Sequence, residues 1–233
     1  MFGLGYTFWS EVISVLREII PVYDKVNKVI SLGKAESYRF IGISENIRPG
    51  NFILDAGSGF GNMSITASIY TNHQVKIILY DPILEMLKNS KQIMKLETLF
   101  SKCSGIFEYM PFRDETFDIV MCGYSLRDAI NLENAISEVH RILKKEGKFI
   151  IVDLGKPDNY FIRIIVNFYL KYILKILAYL AAGEHGLQFK TLYGTYLRWP
   201  QNDILHSLLS TKFSDVDFKR KMNGASIIIS ATK

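Results

Sequence analysis

The stretch Ile53-Leu54-Asp55-Ala56-Gly57-Ser58-Gly59-Phe60-Gly61-Asn62 is an apolar run that ends in a carboxylate and opens into three alternating glycines. A glycine-rich turn after a strand cradles part of a nucleotide, because the backbone can approach the ligand closely. Its neighbours decide which nucleotide. A triphosphate loop carries Lys-Ser/Thr directly after its glycines, to meet phosphates and Mg²⁺; here Asn62-Met63 follows Gly61. A dinucleotide fingerprint reads G-x-G-x-x-G, whereas Gly57, Gly59 and Gly61 read G-x-G-x-G. Asp81 closes the next apolar run, about 20 residues on, a distance at which a carboxylate meets the hydroxyls of any ribose-bearing cofactor. Asp55 is the deciding residue, since a negative charge beside the turn opposes a pyrophosphate and favours a cation. S-adenosylmethionine (SAM) carries a ribose, an adenine, an ammonium and a sulfonium, and no phosphate. An acid-rich, lysine-free turn matches that pattern and disfavours a nicotinamide oxidoreductase.

Other reactive residue types have less context. No cluster has metal-ligand spacing, so no metal is expected. Cys103 and Cys122 lie in apolar segments and read as buried free thiols of a cytoplasmic protein. His140 falls inside an amphipathic run and reads as a packing residue, and nothing around His73 or His206 favours chemistry.

The elements that must hold these residues are legible in outline. Val12, Val15, Leu16, Ile19 and Ile20 share one helical face within residues 8–32, broken at Pro21. Residues 51–58 read as a buried strand, 61–70 as a helix and 75–81 as a second strand. A helix over 82–97 follows, with Asp81 as its cap and Pro82 as its first residue. Residues 117–123 form another strand, 132–147 an amphipathic helix closed by Gly147, and 148–154 a strand. Strands alternating with helices predict parallel βαβ units, hence an α/β, doubly wound, mostly parallel sheet. Two strands flanking Asn223-Gly224 then predict an antiparallel hairpin. A composition of 48% hydrophobic and 22% charged residues suits one globular domain over 1–233. That domain carries an N-terminal helical segment, 8–45, and an apolar helical insertion, 157–200.

The core of the insertion, 160–182, is apolar enough to raise the question of a membrane span. Arg163, Asn167, Lys171 and Lys175 answer it: four apart, they form one stripe on a helix, and each basic residue inside a span would cost about 2.5–3.5 kcal/mol. The insertion reads instead as a lid on its own domain or on a partner chain of a homodimer, or as a helix lying in a membrane surface with its cations toward headgroups. A net charge of +5 suits an anionic membrane, at the inner face. No basic stripe interleaved with aromatics lies outside the lid, so nucleic acid is not expected. Glu11, Arg17 and Glu18 argue against a signal peptide.

Three blocks carry a family resemblance. VYDKVNKVISLGKAESYRF (22–40), ILDAGSGFGNMS (53–64) and the long block 108–157, with Met110-Pro111-Phe112, Phe117-Asp118 and Leu126-Arg127-Asp128, resemble the class I SAM-dependent methyltransferases. More narrowly, they resemble the C-methyltransferases of ubiquinone and menaquinone biosynthesis. The resemblance implies a seven-stranded Rossmann-like methyltransferase sheet and SAM-dependent methylation of a hydrophobic acceptor, a prenylated quinol or its precursor. Another lipid or small metabolite is the alternative acceptor, and a SAM- or lipid-binding module without turnover the alternative function. The resemblance implies that Ser58 contacts the methionine end of SAM, within the turn of Asp55, Gly57 and Gly59. It places Asp81, followed by Pro82, on the ribose, Ile106 and Phe107 beside the adenine, and Gly123 under the sulfonium. Position 106 usually carries a polar side chain, so at Ile106 only the backbone could bind the adenine amine. For the chemistry, Arg127 would stabilise a phenolate. Asp128, in place of the usual Asn, is a candidate base together with Tyr196, His185 and Tyr193.

Overall fold

Five strands supply the parallel part of one sheet: β1 (Phe52–Ala56), β2 (Lys76–Asp81), β3 (Phe100–Ser104), β4 (Phe117–Gly123) and β5 (Leu143–Leu154). They lie in the order β3-β2-β1-β4-β5, after which β7 (Ser226–Thr232) runs antiparallel between β5 and β6 (Asp215–Lys221). Both faces of a parallel sheet are covered, which is why these strands read as continuous apolar runs; Ile53, Leu54, Val120, Met121, Ile150 and Ile151 are fully buried. The structure, a computed structural model, describes residues 2–90 and 100–233.

Helices α1 (Tyr6–Glu18), α2 (Tyr23–Ile30) and α3 (Lys34–Asn46) precede the sheet. Pro21 sits in the 3₁₀ turn Ile20–Val22 between the first two, where it ends one helix and starts the next. Ile43 and Ile47 at the end of α3 join Met63 and Ala67 of α4 (Asn62–Tyr70) on one sheet face. On the other face, α6 (Leu132–Ile142) and α10 (Asn202–Ser210) contribute Leu132, Ile136, Val139, Leu205 and Leu209.

Several boundaries differ from expectation. The helix α6 stops at Ile142, not Gly147: Leu143 is pulled into the sheet opposite Phe117, and Lys144 Nζ binds Asp118 at 2.7 Å. Burying Leu143 in the core outweighs one more helical turn. Gly147 then serves close packing inside β5, where a Cβ would come 2.8 Å from the Lys144 carbonyl oxygen. Helix α5 (Leu84–Lys88) begins two residues after Pro82, because Asp81 ends β2 and accepts from the Ile83 N–H at 2.8 Å. The rest of the expected helix, 91–97, lies outside the described residues. Strand β3 was not anticipated. Its sequence, FSKCS, belongs to a sheet edge with little burial, so Cys103 is only partly buried while Cys122 is fully enclosed. The hairpin turn holds Met222, Asn223 and Gly224 all at positive φ.

Residues Tyr160–Arg198 form a 39-residue helical run, long and apolar enough to cross a membrane by length and composition. It comprises α7 (Tyr160–Phe168), a π-turn at Tyr169–Ile173, α8 (Leu174–Ala182), a 3₁₀ segment and α9 (Lys190–Arg198). One side is packed: Leu170, Leu174, Ala178 and Phe189 meet Ile19 and Val26 of the N-terminal helices. The other side exposes Phe161, Ile165, Phe168, Tyr172, Ile176 and Leu180. Only part of the expected polar stripe faces water. Lys171 and Lys175 are exposed, but Arg163 donates to the Pro157 and Asp158 carbonyls and to Gln201.

Candidate active site

At the carboxyl ends of β1, β2 and β4 the chain leaves a cleft of about 790 Å³, roofed by residues of α1, α2 and α3. Asp55, Gly57, Ser58, Gly59, Asp81, Pro82, Ile106, Phe107 and Gly123 all line it. The glycine turn is held by its own backbone: the N–H groups of Gly57 and Ser58 both donate to the Tyr80 carbonyl, at 2.7 and 3.1 Å. Gly57 has φ +67, and a Cβ there would overlap Ser125, so only glycine serves.

Asp81 ties the two loops of the cleft together. Its Oδ2 accepts from the Gly59 N–H at 2.8 Å and its Oδ1 from the Ile83 N–H. Asp55 performs a different task. Its Oδ2 accepts from the Ser64 N–H at 3.1 Å and the Ser64 hydroxyl at 2.6 Å, while Oδ1 is buried without a partner. Asp55 thus occupies the first turn of α4, where a pyrophosphate would otherwise bind. A carboxylate at that helix end, with Asp55 Oδ1 and Ser58 Oγ unpartnered, opposes a pyrophosphate and fits the cationic amino-acid end of SAM, while the Asp81 carboxylate fits the ribose of either cofactor. At the far end, the Ile106 carbonyl already accepts from Tyr80 Oη at 2.8 Å and from the Tyr109 N–H at 3.3 Å.

A second cavity adjoins the first and shares Tyr23, Arg39 and Tyr124 with it. Its remaining wall is mainly apolar and comes in equal parts from the N-terminal helices, through Asn27, Ile30, Ser31 and Ala35, and from the lid, through Tyr169, Leu170, Leu174 and Leu192. Arg39 and Arg127 are its two charged lining residues. Arg127 Nη1 donates to Asp153 Oδ1 at 2.6 Å and to the Tyr124 carbonyl at 2.7 Å, and Nε lies 3.8 Å from Asp128 Oδ1. Asp128 lines the first cleft. Tyr196 is not brought to either cavity: it is fully buried in the lid core, its ring 5.6 Å from Lys156 Nζ. His185 is exposed and Tyr193 packs at the edge of that core. Motif reasoning missed Arg39, Tyr124 and Asp153. Asp153 had a signal, since like Asp55 and Asp81 it is an acid ending an apolar strand.

Burial raises three of these carboxyls. Asp55 is pushed up to about 7 despite its Ser64 bonds, Asp81 to about 6 despite the Ile83 and Gly59 N–H groups, and Asp128 to about 6 despite Arg127. An unfolded aspartate titrates near 3.9. Between about pH 4 and pH 7 the folded protein therefore holds more protons than the unfolded one, and stability falls as pH rises through that window. The thermal midpoint of the ligand-free protein is expected to rise from about pH 7.5 to about pH 5.5, with Asp55→Asn removing the upper part of the trend. Affinity for S-adenosylhomocysteine should run the other way, falling below about pH 7 as first Asp55 and then Asp81 protonates. Parallel trends in the two titrations would contradict this assignment.

A parallel sheet closed by an antiparallel hairpin, with a carboxylate guarding the glycine turn, defines the SAM-dependent methyltransferase class. The same fold occurs in a SAM-dependent methyltransferase from Aquifex aeolicus, with a TM-score of 0.59, 14% identity, and coverage of 90% of this chain and 97% of that one. The sequence model of the ubiE/COQ5 methyltransferase family matches residues 8–233, and the chain belongs to that family. It is a methyltransferase and its cofactor is SAM. It is 28% identical over 230 residues to the demethylmenaquinone methyltransferase of Bacteroides fragilis, covering 96% of this chain and 93% of that relative. It is 31% identical over 186 residues to the protein of the same name from Leptospira interrogans, covering 78% and 74%.

Proposed function

We propose that this enzyme methylates a ring carbon of a prenylated quinol at the cytoplasmic surface of a membrane. The observation that carries the reading is the mainly apolar cavity beside the cofactor cleft, whose lining includes Arg127. SAM supplies an electrophilic methyl group on a sulfonium. The chain's own residues must align a nucleophilic carbon and exclude water. The cavity wall of Tyr23, Tyr124, Leu170 and Leu174 suits an aromatic ring with an apolar tail. Arg127 favours the phenolate form of an adjacent hydroxyl, which makes the ring carbon nucleophilic. Asp128, its Oδ1 buried and unpartnered, accepts the hydroxyl proton. The names of the two bacterial relatives support the same acceptor class.

The exposed side of the lid supplies the route. Ile165, Phe168, Tyr172 and Ile176 face outward together with Lys171 and Lys175, a pairing of apolar surface and cations that suits the interface of an anionic leaflet. The test is transfer of labelled methyl from SAM to a long-chain prenylated naphthoquinol in anionic vesicles and, separately, to a water-dispersed short-chain analogue. Ile165→Ser/Phe168→Ser/Ile176→Ser is expected to lose at least about 10-fold on the vesicle substrate and little on the soluble one, since each large apolar side chain contributes about 1.5–3 kcal/mol when buried. No product from either acceptor would remove the quinol reading. Equal loss on both would remove the membrane.

A further inference from the structure

The acceptor cavity is walled on one side by the carboxyl end of α2 and the turn after it, through Asn27, Ile30 and Ser31, and on the other by the lid, through Tyr169, Leu170 and Leu174. Among the described residues a single hydrogen bond joins these two walls: Tyr169 Oη donates to the Ile30 carbonyl at 2.7 Å. The rest of the seam is apolar, and Val26 shares one buried cluster with Leu170, Leu174 and Ala178. The backbone is irregular on both sides of that bond. Tyr169 opens the π-turn Tyr169–Ile173, a winding that recurs at functional sites. Two residues beyond Ile30, Leu32 takes φ +51. Outside the seam, Val29 and Leu32 are exposed on the α2 side, and Ile165, Phe168 and Tyr172 on the lid side.

The cavity also meets an outer groove between α2, α3 and α4, which shares Asn27, Ser31, Ala35 and Arg39 with it. That groove carries Asp24, Lys25, Lys28 and Glu36. A prenyl chain laid along it would strip water from those charges, a cost that no contact offsets. A chain passing between Ile30 and Tyr169 meets apolar side chains from the cavity to the exposed apolar residues outside. It displaces one hydrogen bond, and water can take up both partners.

We propose that the seam between Ile30 and Tyr169 is the port through which the acceptor's apolar tail leaves the cavity, and that Tyr169 gates it. The port rests on the acceptor being prenylated, as proposed above. With the bond made, the seam is shut and the empty cavity is closed to water on that side. With Tyr169 swung away, the cavity opens beside the lid's exposed apolar residues, so a ring can enter with its tail trailing toward lipid. A bare ring needs no port once bound, and Tyr169 therefore sets selectivity among acceptors by their tails.

The test compares methyl transfer to a prenylated naphthoquinol and to its tail-less parent ring, both in the same neutral detergent micelles. Whatever a substitution does at the ring it does to both acceptors, so the ratio of their kcat/KM values reads the tail alone. Tyr169→Phe keeps the aromatic wall and removes the bond. The ratio should rise about 2- to 10-fold in favour of the tailed acceptor, the range of one net hydrogen bond, through KM rather than kcat. Ile30→Trp narrows the seam and should move the ratio at least as far the other way. Neither residue lines the cofactor cleft, so both variants should bind S-adenosylhomocysteine as the parent does. An unchanged ratio in both variants would overturn the port. Loss of S-adenosylhomocysteine binding in both would make the seam a structural contact and overturn it too. A parent that leaves the prenylated acceptor unmethylated would overturn the quinol reading itself, a distinct result.

Discussion

Asp81→Ala is expected to weaken S-adenosylhomocysteine binding by about 100-fold or more, as removing two charge-assisted bonds to a ribose would. The effect has a second source. Asp81 holds the Gly59 and Ile83 N–H groups at 2.8 Å each, so its loss frees the glycine turn from the loop that follows β2. Asp81→Asn keeps one acceptor oxygen and should lose about 10-fold. Titration calorimetry reads both variants. A loss under threefold in Asp81→Ala would mean that the ribose lies elsewhere, and the orientation of the cofactor in the cleft would have to be reversed.

Arg127→Met should destabilise the protein by about 3–5 kcal/mol, because it leaves Asp153 as an uncompensated buried charge. Asp153 is fully buried and holds the guanidinium at 2.6 Å. Arg127→Met/Asp153→Asn removes both charges and keeps an acceptor for the Leu154 N–H, which Asp153 Oδ1 takes at 2.8 Å. That double variant should recover at least about 2 kcal/mol in urea unfolding. Methyl transfer separates structure from chemistry. If Arg127 acts on the acceptor hydroxyl, turnover stays absent in the double variant even as stability returns. Recovery of both would reduce Arg127 to a positioning residue for the loop that carries Asp128.

The cofactor cleft was readable because its parts are local. A strand end, a tight turn and a helix start lie within ten residues, and the chemistry of Asp55, Gly57 and Gly59 follows from their own types. The acceptor side was not readable in this way. Arg39 meets Tyr124 only because α3 crosses the sheet; it lies within the 22–40 block, but nothing in its spacing assigns it to the site. Tyr196 misled for the opposite reason: its type suits chemistry, but the lid folds it inward against Val26 and Leu174. Strand β3 escaped notice because an edge strand with one covered side needs little apolar sequence. Helix α6 looked too long because Leu143 continues the helical pattern and yet is claimed by the sheet. The lid's polar stripe was legible only in part: Arg163 turns to the Pro157 and Asp158 carbonyls, and a π-turn at Tyr169–Ile173 interrupts the regular winding.

The sheet order has a consequence for how the enzyme is made. Among the described residues strand β6 pairs with β7 alone, and β7 is synthesised after it. A nascent chain that has emerged only as far as Ala225 holds β6 without a neighbour and β5 with one open edge, an arrangement prone to pairing with other chains. When β7 arrives it enters between them, and Ile227 pairs with Asp153 while Arg220 pairs with Ile227. The edge beside Asp153 is thus sealed by the most recently translated strand. The latest residue lining the cofactor cleft is Asp128, whereas the lid's share of the acceptor cavity runs from Tyr169 to Leu192, so the parts of the cleft leave the ribosome before those of the cavity.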